Sequence, residues 1–356
     1  MRRFIRLTFT VAFVLLLVAA VLVGRMLYVA GYFNEVKPQF AGTCTMVEGA
    51  VGVEDLEIDR ANGTIYLSSQ DRRPGADGAL KPGTIFIGTL DDPKAPLRAA
   101  VSGIAAFHPH GISLFTDAAG RQTLAVLNHP SRDESEVMLF DVSRAPGIET
   151  TLTVRRTVKL SYQLNDVTLV SHESFYATND RGSKTSLGAQ LETWLLLPRS
   201  NVIYYDGSVA SIAASGFNYA NGINRNADAT EIYVAETTGR TLSTFRRDPL
   251  TGTLSHIHSL AIPMGLDNID VDADGNLWIG AHPHLLDFLA HAQDPKKLSP
   301  SSVVKVKPDG DATTYETIYV NAGEEISGSS VAASANGRLL IGAVFDPKFL
   351  NCTLAK

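Results

Sequence analysis

Residues 55–69 read DLEIDRANGTIYLSS, a run in which apolar and polar positions alternate, turn at Ala-Asn-Gly, and alternate again. Alternation at period two marks a half-buried strand, and two such runs around a short glycine-containing turn make a hairpin. The unit returns as GISLFTDAAGRQTLAVLNH from Gly111, DVTLVSHESFYATND from Asp166 and GINRNADATEIYVAET from Gly222. It returns twice more, as IDVDADGNLWIGAH from Ile269 and VAASANGRLLIGAV from Val331. The starts lie roughly 50 to 60 residues apart, the length of one four-stranded propeller blade with its loops. Stretches between them, such as GTIFIGTL, EVMLFDV, NVIYYDG and TLSTFRRD, supply further strands. The pattern predicts an all-β chain, a six-bladed β-propeller over residues 41–356. LGAQLETWLLLP and HLLDFLAHAQDPKKL break the alternation and predict two helices inserted at the rim.

The first 30 residues follow another pattern. Arg2, Arg3 and Arg6 precede an uncharged, largely apolar run from Leu7 to Gly24, at the lower edge of what spans a bilayer as a helix. Positive charge ahead of the run keeps the N-terminus in the cytoplasm and sends the rest across. Residues 1–30 therefore read as an uncleaved signal anchor, with a cleaved signal peptide as the alternative; residues 31–40 read as a linker. The propeller is then exported, to the periplasmic or extracellular side. The chain has two cysteines, Cys44 and Cys352, bracketing nearly all of the exported part. An exported chain can keep a disulfide, so they read either as a clasp between the two ends of one domain or as two unrelated thiols. Composition adds an exclusion. Net charge is −6 and no dense Lys/Arg run occurs, so a nucleic-acid partner is not expected.

In a propeller the innermost strand of each blade lines the central channel. The positions just before those strands hold Glu54, His110, Asn165, Asn221 and the pair Asp267-Asn268. These are mostly oxygen donors brought by different blades to one axis, and calcium takes six to eight oxygens. A local calcium loop is a poor alternative. Asp270, Asp272, Asp274 and Gly275 fall as D-x-D-x-D-G, but Ala281 stands where an EF-hand needs its glutamate and the flank is strand-like. Asp274-Gly275 instead predicts a hairpin turn. No G-x-S-x-G elbow or H-E-x-x-H motif is present, and Ser302-x-x-Lys305 is short enough to arise by chance. A histidine suits the role of general base near neutral pH. His110 lies one residue before a channel strand, and His129 ends the paired strand of the same unit, where it could hold the His110 tautomer. Asp267 is the alternative base. His256 and His258 alternate in LSHIHSL and read as facing solvent or a neighbouring blade.

Eight motifs in fixed order, VEDLEID, FHPHGIS, LNHP, LNDV, FYATND, YANGIN, LDNIDVD and IGAHPH, give the chain a resemblance to the paraoxonase/arylesterase lactonases, within the gluconolactonase-like propeller superfamily. It runs from about Cys44 to Cys352. The resemblance implies a calcium-dependent hydrolase of lactones or aryl esters, with two ions. It implies a catalytic ion on Glu54, Asn165, Asn221, Asp267 and Asn268. A structural ion would lie deeper, on Asp55, Asp166 and the Ile112 carbonyl. It implies a histidine dyad of His110 and His129, pocket positions at Tyr219 and His282, a retained hydrophobic N-terminus and a Cys44–Cys352 disulfide. One position departs: Arg181 follows Thr-Asn-Asp where the family often carries histidine. A non-catalytic propeller binding a small ligand or protein partner is the alternative reading, because fold alone does not fix function.

Overall fold

A computed structural model describes residues 2–75, 78–131, 134–144 and 149–355. Among them, six antiparallel sheets stand around a central channel. The inner strands, in chain order, are Val53–Asp59, Pro109–Thr116, Leu164–Leu169, Ala220–Arg225, Gly265–Val271 and Ser329–Ala335. Each pairs with the next strand of its own hairpin. All six alternating runs form the expected hairpins. The Asp274-Gly275 turn is also present: Gly275 N–H donates to the Asp272 carbonyl at 3.1 Å with φ 81°.

Inner strands are buried on both faces, so their apolar side chains fill the seams between blades. Val53, Leu56 and Leu67 of the first blade meet Val331, Leu340 and Phe349 of the sixth. Tyr176 and Val202 of the third meet Ile223 and Val234 of the fourth. Burial of such side chains contributes about 25 cal/mol per Å² of apolar surface, so the blades hold one another.

The ring closes with strands from both chain ends. Gly42–Glu48 pairs with Lys348–Leu354 as the outermost strand of the sixth blade. Cys44 and Cys352 stand opposite in that ladder and are disulfide-bonded, which resolves the two readings of the cysteines in favour of the clasp. Gln39–Phe40 adds a short edge strand to the fifth blade.

Three helices complete the chain among the described residues. α1 (Arg2–Val29) contains an apolar stretch, Arg3–Val29, long enough to cross a membrane, with mean hydropathy 2.7 and no buried residue in its most apolar window. α2 (Ser186–Leu195) and α3 (Leu285–Gln293) are the two rim insertions. α2 starts where the Thr185 side chain accepts the Gly188 N–H, a hydrogen bond that satisfies one of the open donors of a helix start.

Candidate functional site

Every inner strand carries a register shift near its start: between Val53 and Asp55, Pro109 and Ile112, Leu164 and Val167, Ala220 and Ile223, Leu266 and Ile269, Ser329 and Val331. A bulge leaves its extra residues unpaired and re-aims their side chains. Glu54, His110, Asn165, Asn221, Asp267 and Asn268 occupy these bulges. They lie inside the strands, at the second to fourth positions, rather than just before them, because the bulge, not the loop, turns them to the axis. The sixth blade offers Ser330, whose hydroxyl donates to the Glu54 carbonyl at 2.7 Å. Glycine lets neighbouring bulges approach. A Cβ on Gly111 would stand 2.2 Å from Asp166 Oδ1, and one on Gly222 2.3 Å from the Asp267 carbonyl oxygen.

The polar atoms of this ring divide in a consistent way. Asn221 Nδ2 donates to Thr237 Oγ1 at 2.9 Å, and Asn268 Nδ2 to Glu54 Oε1 at 2.8 Å. The oxygens of Asn165, Asn221 and Asn268, with Glu54 Oε2, are buried without any hydrogen-bond partner. An unsatisfied buried polar atom costs roughly 1–3 kcal/mol, so four at one axis fit a bound cation. Among the described residues, no three His, Cys, Asp or Glu side chains gather in metal-holding geometry; the ring is mixed amide and carboxylate, the hard-oxygen chemistry of calcium.

Asp55 and Asp166 lie beside the ring, buried, and tie blades together. Asp55 accepts the N–H groups of Leu56 at 2.8 Å and of Ile112, in the next blade, at 2.6 Å. Asp166 accepts Val167 N–H and, from the fourth blade, Ile223 N–H, both at 2.7 Å. Burial pushes both carboxyls well above their ordinary value; the charges of Asp166 and Glu54 add to this at Asp55, and those of Glu54 and Glu57 at Asp166. Burial also raises Glu54, against the pull of Arg72, and lifts Asp267 to about 6, against its hydrogen bond with His282. Acid groups crowd at one axis, and the chain's own counter-charge there is chiefly Arg72.

His110 and His129 pack edge to face, ring centroids 5.2 Å apart. Their contact is ring packing; the partner of His129 Nδ1 is Ser135 Oγ at 3.3 Å. His110 Nε2 stands 3.5 Å from Glu54 Oε1. Burial and the Arg72 guanidinium hold His110 well below 6.5, and burial with the His110 charge lowers His129 to about 3. The His110–Glu54 contact is thus that of a neutral ring.

A cavity of about 310 Å³ opens over the ring. Tyr219 and His282 both line it. Tyr219 sits at φ 60°, a strained conformation for an aromatic residue, of the kind that gathers at functional sites. His282 Nε2 lies 2.8 Å from Asp267 Oδ2. The Arg181 guanidinium lies 5.5 Å from the Tyr219 ring centroid. Two neighbours carry no signal in the repeat. Arg72 stands just past the strand Thr64–Ser69, outside the strand phase, and donates to the carbonyls of Gly52 at 2.9 Å and Pro109 at 2.7 Å. Asp180, within the FYATND motif, has its carboxyl raised by burial and held back by Arg181. Ser302, by contrast, is buried in a strand and donates to the Tyr319 carbonyl, away from the ring.

The chain is 34% identical over 334 residues to human serum paraoxonase/arylesterase 1, covering 90% of this chain and 91% of that protein. A gluconolactonase from Xanthomonas campestris superposes with a TM-score of 0.54 at 19% identity, over 88% of this chain and 90% of that one. Regucalcin from Agrobacterium tumefaciens, described as a calcium-binding protein, superposes at 0.50 with 16% identity, over 89% and 96%. The two structural likenesses establish the propeller fold. Residues 34–354 match the arylesterase family model, and the chain belongs to the arylesterase family.

Proposed function

We propose that the protein hydrolyses lactones or aryl esters, using calcium held by Glu54, Asn165, Asn221, Asp267 and Asn268. What carries this reading is the set of four buried, unpartnered oxygens on Glu54 and the three asparagines, beside neutral His110, which lines the cavity with Glu54, Asn165 and Asn221. Bound calcium would supply Lewis-acid polarisation of the ester carbonyl and stabilise the oxyanion. His110, held neutral, takes a proton from water as the water oxygen attacks the carbonyl carbon. The bond to the alkoxy oxygen breaks, and the proton passes to that leaving oxygen. His129 fixes the His110 ring by edge-to-face packing. The Asp267 carboxylate is committed to His282 on one oxygen, which favours His110 as the base. A second, structural calcium on Asp55, Asp166 and the Ile112 carbonyl would relieve the mutual repulsion of the two carboxylates, each of whose oxygens keeps a lone pair beyond its single N–H bond.

The propeller is then an exported domain, tethered to a membrane by residues 1–30, and the end of the linker at 31–40 pairs with the fifth blade. The apolar, exposed α1 supports this.

A panel of lactones and phenyl esters tests the reading. At least one is turned over with calcium, loses turnover in chelator, and regains it when calcium is restored. Calcium binding without turnover of any member overturns hydrolysis in favour of a binding propeller.

A further inference from the structure

The cavity over the ring has a polar floor and an apolar upper wall, and part of that wall comes from an unexpected element. Met26, Val29 and Ala30, at the foot of α1, line it together with Trp194 of α2 and Leu285 and Leu289 of α3. Exposure along α1 changes at this point. Residues 3–25 are exposed, Met26, Leu27 and Val29 are half-buried, and Ala30 is buried.

Hydrogen bonds fix the foot in place. Arg240 Nη1 donates to the Tyr28 carbonyl at 2.7 Å, with its guanidinium 4.8 Å from the Tyr28 ring centroid. Leu285 N–H, at the start of α3, donates to the Ala30 carbonyl at 2.9 Å. Asn34 Nδ2 donates to the Pro263 carbonyl at 2.9 Å, and Arg25 Nη1 reaches the Leu195 carbonyl at 3.2 Å. Gly31, at φ 73°, makes the close turn between them; a Cβ there would stand 2.0 Å from the Pro283 carbonyl oxygen. The segment after the apolar run is therefore docked across the rim by contacts to both lid helices and to the loop before the fifth blade.

We propose that the foot of α1 belongs to the substrate site: Met26 and Val29 form the surface against which an apolar tail of the ester or lactone lies, so the N-terminal segment sets chain-length selectivity. This rests on the hydrolase reading above. A reacting carbonyl at the polar floor, beside His110, leaves the rest of the substrate in the upper cavity. The groups there are apolar and come from three helices, so an unbranched hydrocarbon tail fits and a charged one does not. Removal of residues 1–30 would take one wall away. The helix thus does two things at once, tethering with its exposed stretch and shaping the pocket with its last turn.

Full-length protein in detergent, assayed on phenyl esters from acetate to octanoate, tests this. Val29→Trp narrows the wall and lowers kcat/KM for octanoate relative to acetate by about tenfold, mainly through KM. Met26→Ala widens it and moves the preference to longer chains. Val21→Trp, on the exposed stretch, leaves the profile as it was. Unchanged profiles in both wall variants overturn the proposal.

A second measurement is independent of turnover. Both native cysteines are in the disulfide, so Met26→Cys carries one free thiol. Octanoate, the product acid, slows its alkylation severalfold and leaves the thiol of Val21→Cys unaffected. Protection without turnover of any ester or lactone keeps the wall and removes the hydrolase reading. Turnover with no protection and an unaltered profile keeps the hydrolase and removes the wall.

Discussion

Three asparagines at the channel mouth are turned alike, amide nitrogens spent on the protein and oxygens left bare. Asn221 gives its nitrogen to Thr237, Asn268 to Glu54, and Asn165 faces Asp180. Each oxygen is buried without a partner, and the calcium proposal rests on that. Beside them His110 is kept neutral, which has a kinetic consequence. Burial and Arg72 depress its pKa well below 6.5, so the free base persists through neutral pH and the acid limb of kcat/KM falls on the acid side of 6.5. His110→Gln is expected to lower kcat about 10²–10⁴-fold with calcium affinity nearly unchanged, as followed by titration calorimetry, since His110 is not assigned as a ligand. Arg72→Gln removes the cation that disfavours imidazolium, so the acid limb moves to higher pH. A limb that stays in place in Arg72→Gln would detach it from His110. Full activity in His110→Gln would pass the base to Asp267.

Strands, helices and turns were legible in the sequence because each rests on local spacing. Period two marks DLEIDRANGTIYLSS, and its loss marks LGAQLETWLLLP. The bulges were not legible. Whether Asp55 pairs across to Ser68 or slips by one is settled by the partner strand, and no residue of the inner strand alone announces it. The same holds for Arg72 and for the α1 foot. Their places depend on contacts such as Arg240 with Tyr28, 212 residues apart, which no periodicity encodes. His110 and His129 were found as neighbours, but the edge-to-face packing that replaces a shared hydrogen bond is a fact of side-chain geometry. The bulge residues also carry an expectation about the elements they join. Asp166 holds Val167 N–H within the third blade and Ile223 N–H in the fourth. Asp166→Ala strands two buried donors, at roughly 1–3 kcal/mol each, so the urea midpoint falls clearly in calcium-free protein. Asp166→Asn keeps one acceptor and loses less. Equal midpoints for wild type and Asp166→Ala without calcium would mean that the staple contributes nothing.

At the scale of the whole molecule one covalent bond closes the ring, and the carboxyls at its axis make its stability depend on pH. The Cys44–Cys352 bond ties residues 308 apart, for which the chain-entropy model gives about 5–6 kcal/mol as an upper limit. Cys352→Ser should keep the fold, because the ladder from Gly42 to Glu48 and the packing of Val47 and Phe349 remain. Its denaturation midpoint should drop; an unmoved midpoint would leave the clasp without energetic effect. The axial carboxyls act through pH. Asp267 has an ordinary value of 3.8 and is lifted to about 6, and burial raises Asp55 and Asp166 in the same direction. A carboxyl raised by folding binds protons more tightly in the native state than in the unfolded one. Its favourable contribution is complete below the unfolded value and is lost as pH rises through the folded value. Calcium-free protein should therefore melt lower at pH 8 than at pH 5.5. A bound cation compensates the same charges and stabilises only the assembled ring, so calcium should raise the melting temperature more at pH 8 than at pH 5.5. The measurement uses protein stripped by chelator and desalted, melted at each pH with and without calcium, so that the pH dependence of the chelator does not enter. Equal calcium shifts at the two pH values would show that the axial carboxylates do not sense the ion. No shift at either would remove calcium from the channel.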